Sequence, residues 1–226
     1  MINYKYIDSS IEHYASEGFI RIESPWTVNP EVAQITNFRG NEDPILKGRN
    51  KCLVASGEQS FLYLMVKGFL PKGSYQTVTP CFRFNDNFTP DHSKYFIKNE
   101  LIITESKDIN DFFKVINSAF VFFTNSGLNI RVNRGFLFSN TYSPPYEFGM
   151  PGFKKFKEEL MDSFNYALAV NNLIWDLEVE INEQIFELGS YGFRKHQDLS
   201  WIFGTGLAEP RFSHVLETKN NFENEQ

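Results

Sequence analysis

The chain has 226 residues, 42% of them hydrophobic, and a formal net charge of −6 at pH 7. This length and apolar content suit one packed domain, which we expect over residues 1–226. No apolar run approaches the roughly 20 residues that span a bilayer, and the N-terminus lacks a charged-then-apolar leader, so we expect a cytoplasmic protein with no membrane partner. The negative charge gives no general attraction to nucleic acid, and two isolated cysteines argue against a disulfide framework or a Cys-based zinc site.

The opening of the chain predicts a helix, a tight turn and a strand. Apolar residues recur at helical spacing over residues 5–17, Gly18 ends the helix, and a short strand then stops at Pro25. Residues 30–51 are polar and rich in Gly and Asn. They predict a long loop, which is either a lid over a ligand or a disordered segment.

The remaining elements alternate between helices and strands without a repeat or a linker. Helices are predicted over 57–68, 108–124 and 151–171, and strands over 75–83, 95–104, 174–181 and 184–193. From Trp201 onward, a strand is predicted to turn at the glycines of GTG and continue as a helix. Because the helices are segregated from hairpin-like strands, the pattern indicates an α+β domain built on an antiparallel sheet.

Alternation along two strands indicates which face of the sheet is polar. In the strand over 95–104, one face is mainly apolar and the other carries Glu100. In DLEVEI, residues 176–181, three acids alternate with three apolar residues. These acids are either solvent-exposed side chains of an edge strand or part of a site near Arg83 that binds a cation. In GTGLAEPR, small residues let a ligand approach the backbone, and Arg211 opens a helix whose N-terminus favours an anion.

These motifs occur together, in order and at the approximate spacing of the class II aminoacyl-tRNA synthetase catalytic domain, which the chain resembles over nearly its whole length. They are TPCFR, F-x-K-x-E-L at 96–101, DLEVEI, E-x-x-S at 187–190, and GTGLAEPR followed by VLE at 215–217. The resemblance is closest to the seryl-tRNA synthetases. It implies the antiparallel sheet with flanking helices of that class, and a homodimer through the opening at about residues 5–27, which resembles motif 1.

The resemblance also implies an ATP site with two catalytic arginines. Arg83 is similar to the motif 2 arginine that bridges the substrate carboxylate and the α-phosphate, and its planar fork of donors suits two oxyanions. Phe96 is similar to the aromatic residue that stacks on adenine. Arg211 is similar to the motif 3 arginine that covers the other face of the ring and reaches the γ-phosphate. No nucleophile is implied, since such catalysis works by positioning and charge neutralisation.

Further ATP and metal ligands follow from the same resemblance. Glu187 and Ser190 resemble the pair that holds the essential Mg²⁺, a hard ion that favours oxygen ligands. Gly206 lies in the motif 3 backbone of the nucleotide site. His92 is either a contact for the γ-phosphate or pyrophosphate, or an ordinary loop histidine.

The amino-acid site is implied by SGE at 56–58, which stands where seryl enzymes have a T-x-E loop. Glu58 would pair with the substrate ammonium group, and Glu100 would line the side-chain pocket. The predicted site is completed by Ser56, Arg83, Phe203 and Gly204. Aromatic residues at Phe203, Phe193 and Tyr191 would edge a pocket for a larger or more apolar side chain than that of serine.

The chain departs from the pattern at two points. Motif 2 normally continues as R-x-E, whose acid reads adenine, whereas here Asn85 or Asp86 would have to do so. We also expect no helical arm or anticodon-binding domain, and a frayed polar tail at about 218–226. The chain is therefore predicted to activate an amino acid or similar carboxylate for an unknown acceptor, which is a carrier protein, a small amine or tRNA. The alternative is a non-catalytic paralogue that binds a ligand or regulates a partner.

Overall fold

The computed structural model describes residues 1–36, 50–83, 93–133, 141–142 and 172–224. Their helices and strands, in chain order, are α1 (Tyr4–Ser16), β1 (Ile20–Arg21), β2 (Thr27–Val28), α2 (Pro30–Gln34), β3 (Cys52–Leu53), α3 (Gly57–Val66), β4 (Ser74–Phe82), β5 (Tyr95–Thr104), α4 (Ile109–Asn125), β6 (Ile130–Asn133), β7 (Thr141–Tyr142), β8 (Asn172–Ile181), β9 (Gln184–His196), β10 (Leu199–Glu209) and α5 (Arg211–Asn224). The helix predicted over 151–171 lies outside the described residues.

Eight of the described strands form one sheet in the order β1-β4-β5-β10-β9-β8-β6-β7. The short β1 runs parallel to β4, and the other neighbours are antiparallel. Strands β2 and β3 form a separate antiparallel pair. The predicted α+β domain on an antiparallel sheet is therefore confirmed, with one parallel strand added at its edge.

One side of the sheet, here called the three-helix face, is covered by α1, α4 and α5. Its strands contribute side chains such as Leu101, Trp175 and Tyr191, all at most 2% exposed, to one continuous apolar core. Aromatic contacts join the layers, because the Trp175 ring meets Phe112 of α4 edge-on at 5.2 Å. Aromatic pairs of this geometry stabilise a core beyond the area that they bury.

The other side is here called the charged face, and the described residues cover only part of it with apolar groups. A smaller core formed by α2, α3, β2 and β3 packs on the strands through Ile102, Trp201 and Phe203. Beside it, strands β5, β8 and β9 carry Glu100, Asp176 and Arg194. Strand alternation thus sends apolar side chains to one core and charged ones to the opposite side.

Helix α1 is fixed to the three-helix face by polar groups as well as apolar ones. Asn3 caps its first turn by accepting from the Lys5 N–H. The Tyr14 hydroxyl donates to the Gly206 carbonyl at 2.8 Å, and Asn99 of β5 donates to the Ser10 hydroxyl at 3.1 Å. These bonds join residues far apart in sequence and set the position of the opening segment on the sheet.

Four sequence expectations are corrected. Strand β8, which carries DLEVEI, lies between β9 and β6, so its acids do not belong to an edge strand. The glycines of GTG do not form a turn, because β10 continues through them to Glu209. The polar tail is helical, since α5 extends through Asn224. Within the predicted loop over 30–51, residues Pro30–Gln34 form α2, and 37–49 lie outside the described residues.

Candidate functional site

Arg83 follows β4 and lies against Phe96 of the neighbouring β5. Its backbone N–H donates to the Lys94 carbonyl at 3.0 Å, which extends the β4–β5 pairing by one step. The guanidinium carbon lies 5.1 Å from the centre of the Phe96 ring. Arg83 Nε is buried and has no hydrogen-bond partner among the residues that the structure describes. A buried donor without a partner is costly, so this atom is poised for an acceptor.

Hydrogen bonds join Glu187, Ser190 and Arg211 to one another. Arg211 Nη1 donates to the Glu187 carboxylate at 3.1 Å and to its carbonyl at 3.2 Å, and the Ser190 hydroxyl donates to the same carboxylate at 3.4 Å. Partial burial raises the pKa of Glu187, but Arg211, Lys98 and Arg83 lower it more, so it lies below its ordinary value. Arg83 contacts Phe96, which alternates on β5 with residues of the three-helix core. Glu187 and Ser190 pair with Glu178 and Asp176, which alternate with core residues of β8, so both sets lie on the charged face.

A bulge in β9 brings Glu187 and Ser190 together. Residues three apart in a regular strand point to opposite faces. Here the pairing of β8 with β9 shifts between Leu177 and Glu178, so that Leu188 becomes the extra residue and packs into the three-helix core. The bulge therefore turns Glu187 and Ser190 toward each other, as bulges do when they redirect side chains near sites.

Asp176 of β8 lies opposite Ser190 and joins this group. Burial and the nearby carboxylates of Glu187 and Glu178 raise the pKa of Asp176 to about 6, against the lowering effect of a hydrogen bond from Ser190 and the charge of Arg211. The sequence marked Asp176 only as one of three acids on a face. The other two, Glu178 and Glu180, both bind Arg131 of β6.

Ser56 and Glu100 meet where the N-terminus of α3 contacts the sheet. Ser56 caps α3 by accepting from the Glu58 N–H, and its hydroxyl donates to Glu100 at 2.7 Å. Lys98, two residues before Glu100 on the same face of β5, makes an ion pair with that carboxylate at 2.9 Å. Glu100 is 1% exposed, so both of its oxygens are bonded inside the protein.

Glu58 lies deeper, beneath α3, and its carboxylate is bonded by two side chains of the sheet. Arg194 Nη1 of β9 donates to one oxygen, and Trp201 Nε1 of β10 donates to the other at 2.6 Å. The Arg194 guanidinium also stacks on Phe203, 4.2 Å from the ring centre. Arg194 and Trp201 are paired residues in the β9–β10 ladder, so the sheet presents both donors to the same carboxylate.

The aromatic residues predicted to edge the pocket lie on two sides of the sheet. Phe203 packs on the charged face, but Tyr191 and Phe193 are buried in the three-helix core, so this part of the expectation is wrong. Gly204 and Gly206 turn their Cα hydrogens toward the same three-helix core. A Cβ at Gly204 would lie 2.4 Å from Val115, and one at Gly206 would lie 2.7 Å from Tyr14. These glycines are thus required by close packing.

Three predicted ATP contacts, Asn85, Asp86 and His92, lie outside the described residues. Within the part of the chain that is described, no group of three or more His, Cys, Asp or Glu side chains is arranged to hold a metal ion. Glu187 and Ser190 offer two oxygens, which is fewer than a magnesium site supplied by protein alone would need.

The structure therefore brings most of the predicted residues to one side of the sheet in two neighbouring groups. One contains Arg83, Phe96, Glu187, Ser190 and Arg211, and the other contains Ser56, Glu58, Glu100 and Phe203. Sequence reasoning missed Arg194 and Lys98. Lys98 could have been found from its alternation with Glu100 on β5. Arg194 could not, because its partner is 136 residues away.

Solved structures with a similar fold were found among aminoacyl-tRNA synthetases. The cytoplasmic serine-tRNA ligase of Naegleria fowleri in complex with AMP superposes with a TM-score of 0.63 at 16% identity, over 91% of this chain and 51% of that one. The seryl-tRNA synthetase of Pyrococcus horikoshii complexed with ATP gives 0.61 at 15% identity, over 89% and 47%. The RNA binding domain of threonyl-tRNA synthetase from Cryptosporidium parvum gives 0.68 at 11% identity, over 96% and 64%.

These similarities define the class of fold. The chain has a class II aminoacyl-tRNA synthetase-like core, as its motifs predict. It spans about half the length of the two seryl-tRNA synthetases that it resembles. No protein-family model matches the sequence, and no curated protein sequence matches it. None of the described helices has the length and apolarity that crossing a bilayer requires.

Proposed function

We propose that the protein uses ATP to activate a carboxylic acid as an acyl-adenylate and transfers the acyl group to an acceptor. The proposal rests on the surroundings of Arg83. Its buried Nε has no hydrogen-bond partner among the described residues, and its guanidinium lies against Phe96. Two structurally similar synthetases were solved with AMP and with ATP, which supports nucleotide binding by this fold. The acceptor is proposed to be a carrier protein, a small amine or tRNA.

The reaction is a direct displacement at phosphorus. An oxygen of the substrate carboxylate attacks the α-phosphorus of ATP, the bond to the bridging oxygen breaks, and pyrophosphate leaves with the displaced electron pair. Arg83 would bind the attacking carboxylate and an α-phosphate oxygen together, which holds them in line and offsets the developing charge. No proton transfer is needed in this step, so a nucleophilic side chain is not required.

Other residues would bind and orient the nucleotide. Phe96 offers an aromatic face for adenine, and Arg211, held by Glu187, would contact the terminal phosphates. Glu187 and Ser190 would contribute oxygens to a Mg²⁺ ion whose remaining ligands are phosphate and water, the usual arrangement for this ion. Bound there, Mg²⁺ would neutralise phosphate charge. The cations near Glu187 keep that side chain ionised, as a metal ligand must be.

ATP–pyrophosphate exchange tests this proposal. Exchange should depend on one acid, when all common amino acids and simple carboxylic acids are offered in turn. The Arg83→Ala variant should reduce it by about 100- to 1,000-fold, the usual effect of removing one oxyanion donor. Lys107→Ala, an exposed basic side chain just before α4 and away from the site, is the control and should exchange normally. ATP binding without exchange for any acid would favour the non-catalytic alternative, and no ATP binding would contradict both.

We also propose a homodimer formed through the segment from α1 to β2. Large apolar side chains are exposed there, namely Tyr4, Ile20 and Trp26, each about 60% accessible. Exposed apolar side chains grouped on one segment are typical of interaction surfaces. Sedimentation equilibrium should give a dimer that Ile20→Glu with Trp26→Glu converts to a monomer, whereas Phe69→Glu, another exposed aromatic site, should leave the dimer intact. A wild-type monomer would contradict the proposal.

A further inference from the structure

The acids best placed to receive a substrate ammonium group are already neutralised by the protein's own cations. Glu58 is 4% exposed, and each of its two oxygens accepts a hydrogen bond, one from Arg194 and one from Trp201. Its guanidinium partner is itself held by stacking on Phe203. Arg194 therefore already supplies the opposite charge that an ammonium group would bring to Glu58.

Glu100 is equally engaged. Ser56 donates to one oxygen at 2.7 Å, and Lys98 lies 3.0 Å and 2.9 Å from the two oxygens. Lys98 has only a small exposed fraction, so its charge is opposed mainly by Glu100. A substrate amine entering here would meet Lys98 as a like charge.

Displacing these cations would be unfavourable. Removing one partner from a buried ion pair leaves the other charge buried and uncompensated, which typically corresponds to a loss of about 150- to 5,000-fold in an equilibrium constant. A ligand ammonium group would have to recover that loss in exchanging with Arg194, while the displaced guanidinium sought another partner in the same confined space.

Among the described residues, the other acids of the charged face lie on β8 and β9, and two of them, Glu178 and Glu180, are paired with Arg131. Asp176 lies three strands from Glu100, across β10 and β9, which corresponds to about 14 Å at the usual strand spacing. Glu187 is bonded by Arg211 and Ser190. Glu187 is placed beside the nucleotide phosphates in the proposed function, and Asp176 lies next to it.

We propose that the activated acid carries no α-ammonium group, and that Arg194 and Lys98 make the pocket selective for carboxylic or hydroxycarboxylic acids over amino acids. The proposal rests on the adenylation proposed above, and it identifies the substrate class of that same site. Glu58 then has the role of positioning Arg194 against Phe203 in the wall of the pocket.

Stable adenylate analogues test the inference by binding alone. Matched acyl-sulfamoyl adenosines would carry α-NH₃⁺, α-OH or α-H on the same skeleton, in one series derived from alanine, lactate and propionate and in another derived from the phenylalanine skeleton. Calorimetry with the full chain should give at least 10-fold tighter binding for the α-OH or α-H member of a series. Tighter binding of the amino member in both series would overturn the inference.

The outcome also separates this inference from the proposed function. Adenosine sulfamate without an acyl group reports the nucleotide site alone. If it binds and the amino members are preferred, the adenylation proposal stands and the substrate class is wrong. If neither it nor any acyl analogue binds, both proposals are contradicted.

Two variants assign the selectivity to particular residues. Arg194→Met should free Glu58 and shift the ratio of affinities at least 10-fold toward the amino analogue, whereas Arg131→Met, which breaks another arginine–glutamate pair on the same sheet, should not. If Arg194→Met fails to fold, Lys98→Met decides, because it removes the other cation of the pocket and keeps a side chain of similar length. The inference expects the ratio of affinities to shift toward the amino analogue in Lys98→Met, and an unchanged ratio would overturn it.

A preference for the amino analogue that Asp176→Asn abolishes would also overturn the inference, by showing that the amine binds in the other group. Circular dichroism of each variant would verify folding, so that a change in the ratio of affinities is not confused with a loss of structure.

Discussion

Strand β8 carries Trp175 on one side of the sheet and Asp176 on the other, and the two neighbours have opposite surroundings. Trp175 is 2% exposed and packs among aromatic rings, whereas Asp176 lies among two other carboxylates and has a raised pKa. The three-helix face thus gains stability from burial. The charged face holds like charges close together, a costly arrangement that is common at functional sites.

The largest effect is expected on the three-helix face. Trp175→Ala should reduce the free energy of unfolding by about 3–5 kcal/mol, because it removes a large buried ring and leaves a cavity beneath α4. Glu180→Ala, on the other side of the same strand, should change it by less than about 0.5 kcal/mol, since that side chain is half exposed. Urea denaturation of the wild type and the two variants measures both changes in the free energy of unfolding. Equal losses would show that the two faces contribute alike.

Arg211→Ala should have the next largest effect, and on activity instead of stability. Loss of the guanidinium should lower ATP–pyrophosphate exchange by about 100-fold, the usual result of removing one preorganised donor. Stability should change little, because the Glu187 carboxylate that binds Arg211 is 43% exposed. Lys219→Ala, on the same helix, is the control and should retain exchange. A large stability loss without a change in exchange would assign Arg211 to the fold.

The two faces also differ in how far sequence determines them. Alternation in β5 and β8 correctly predicted that Leu101 and Leu177 would be buried and that Glu100 would lie on the other side. No such alternation was available for β9, where Tyr191 was expected at the pocket from the resemblance alone. The bulge at Leu188 instead accompanies the burial of Tyr191 in the three-helix core. Gly189 is a local signal for that bulge, because a glycine inside a strand often marks one.

The glycines and the ion pairs also depend on contacts between residues that are far apart in sequence. Gly204 resembled a turn residue, but the close approach of Val115 from α4 is what excludes a side chain there. Likewise, Glu58 was predicted from its motif, whereas its bond to Arg194 depends on the order of strands in the sheet. Periodicity reports which residues share a face. Contacts across the sheet depend on topology, which the resemblance to a fold class supplied only in outline.

Ser56→Ala sharpens the comparison on a smaller scale, at the boundary between α3 and the charged face. The substitution removes the cap of α3 and a hydrogen bond to the buried Glu100, and should lower the free energy of unfolding by about 1–2 kcal/mol. Ser56→Thr keeps the hydroxyl and should lose less than half as much in the same urea experiment. Equal losses in the two variants would show that the hydroxyl does not matter.

The smallest expected effect is a pH dependence that belongs to Asp176. Its pKa rises from an ordinary value of 3.8 to about 6 in the folded protein, so between these values the folded state binds more protons than the unfolded state. Stability must therefore fall as pH rises from about 4 to about 6, and the stabilisation by the protonated Asp176 is fully present only below the lower value.

Asp176→Asn removes this titration. The variant should match the wild type near pH 4 and exceed it by about 1 kcal/mol at pH 7, less than the full shift implies because solvent screens a partly exposed carboxyl. Urea denaturation at intervals across this range would give both curves. Parallel curves would mean that Asp176 is not under electrostatic strain, and that the charged face differs from the three-helix face in polarity alone.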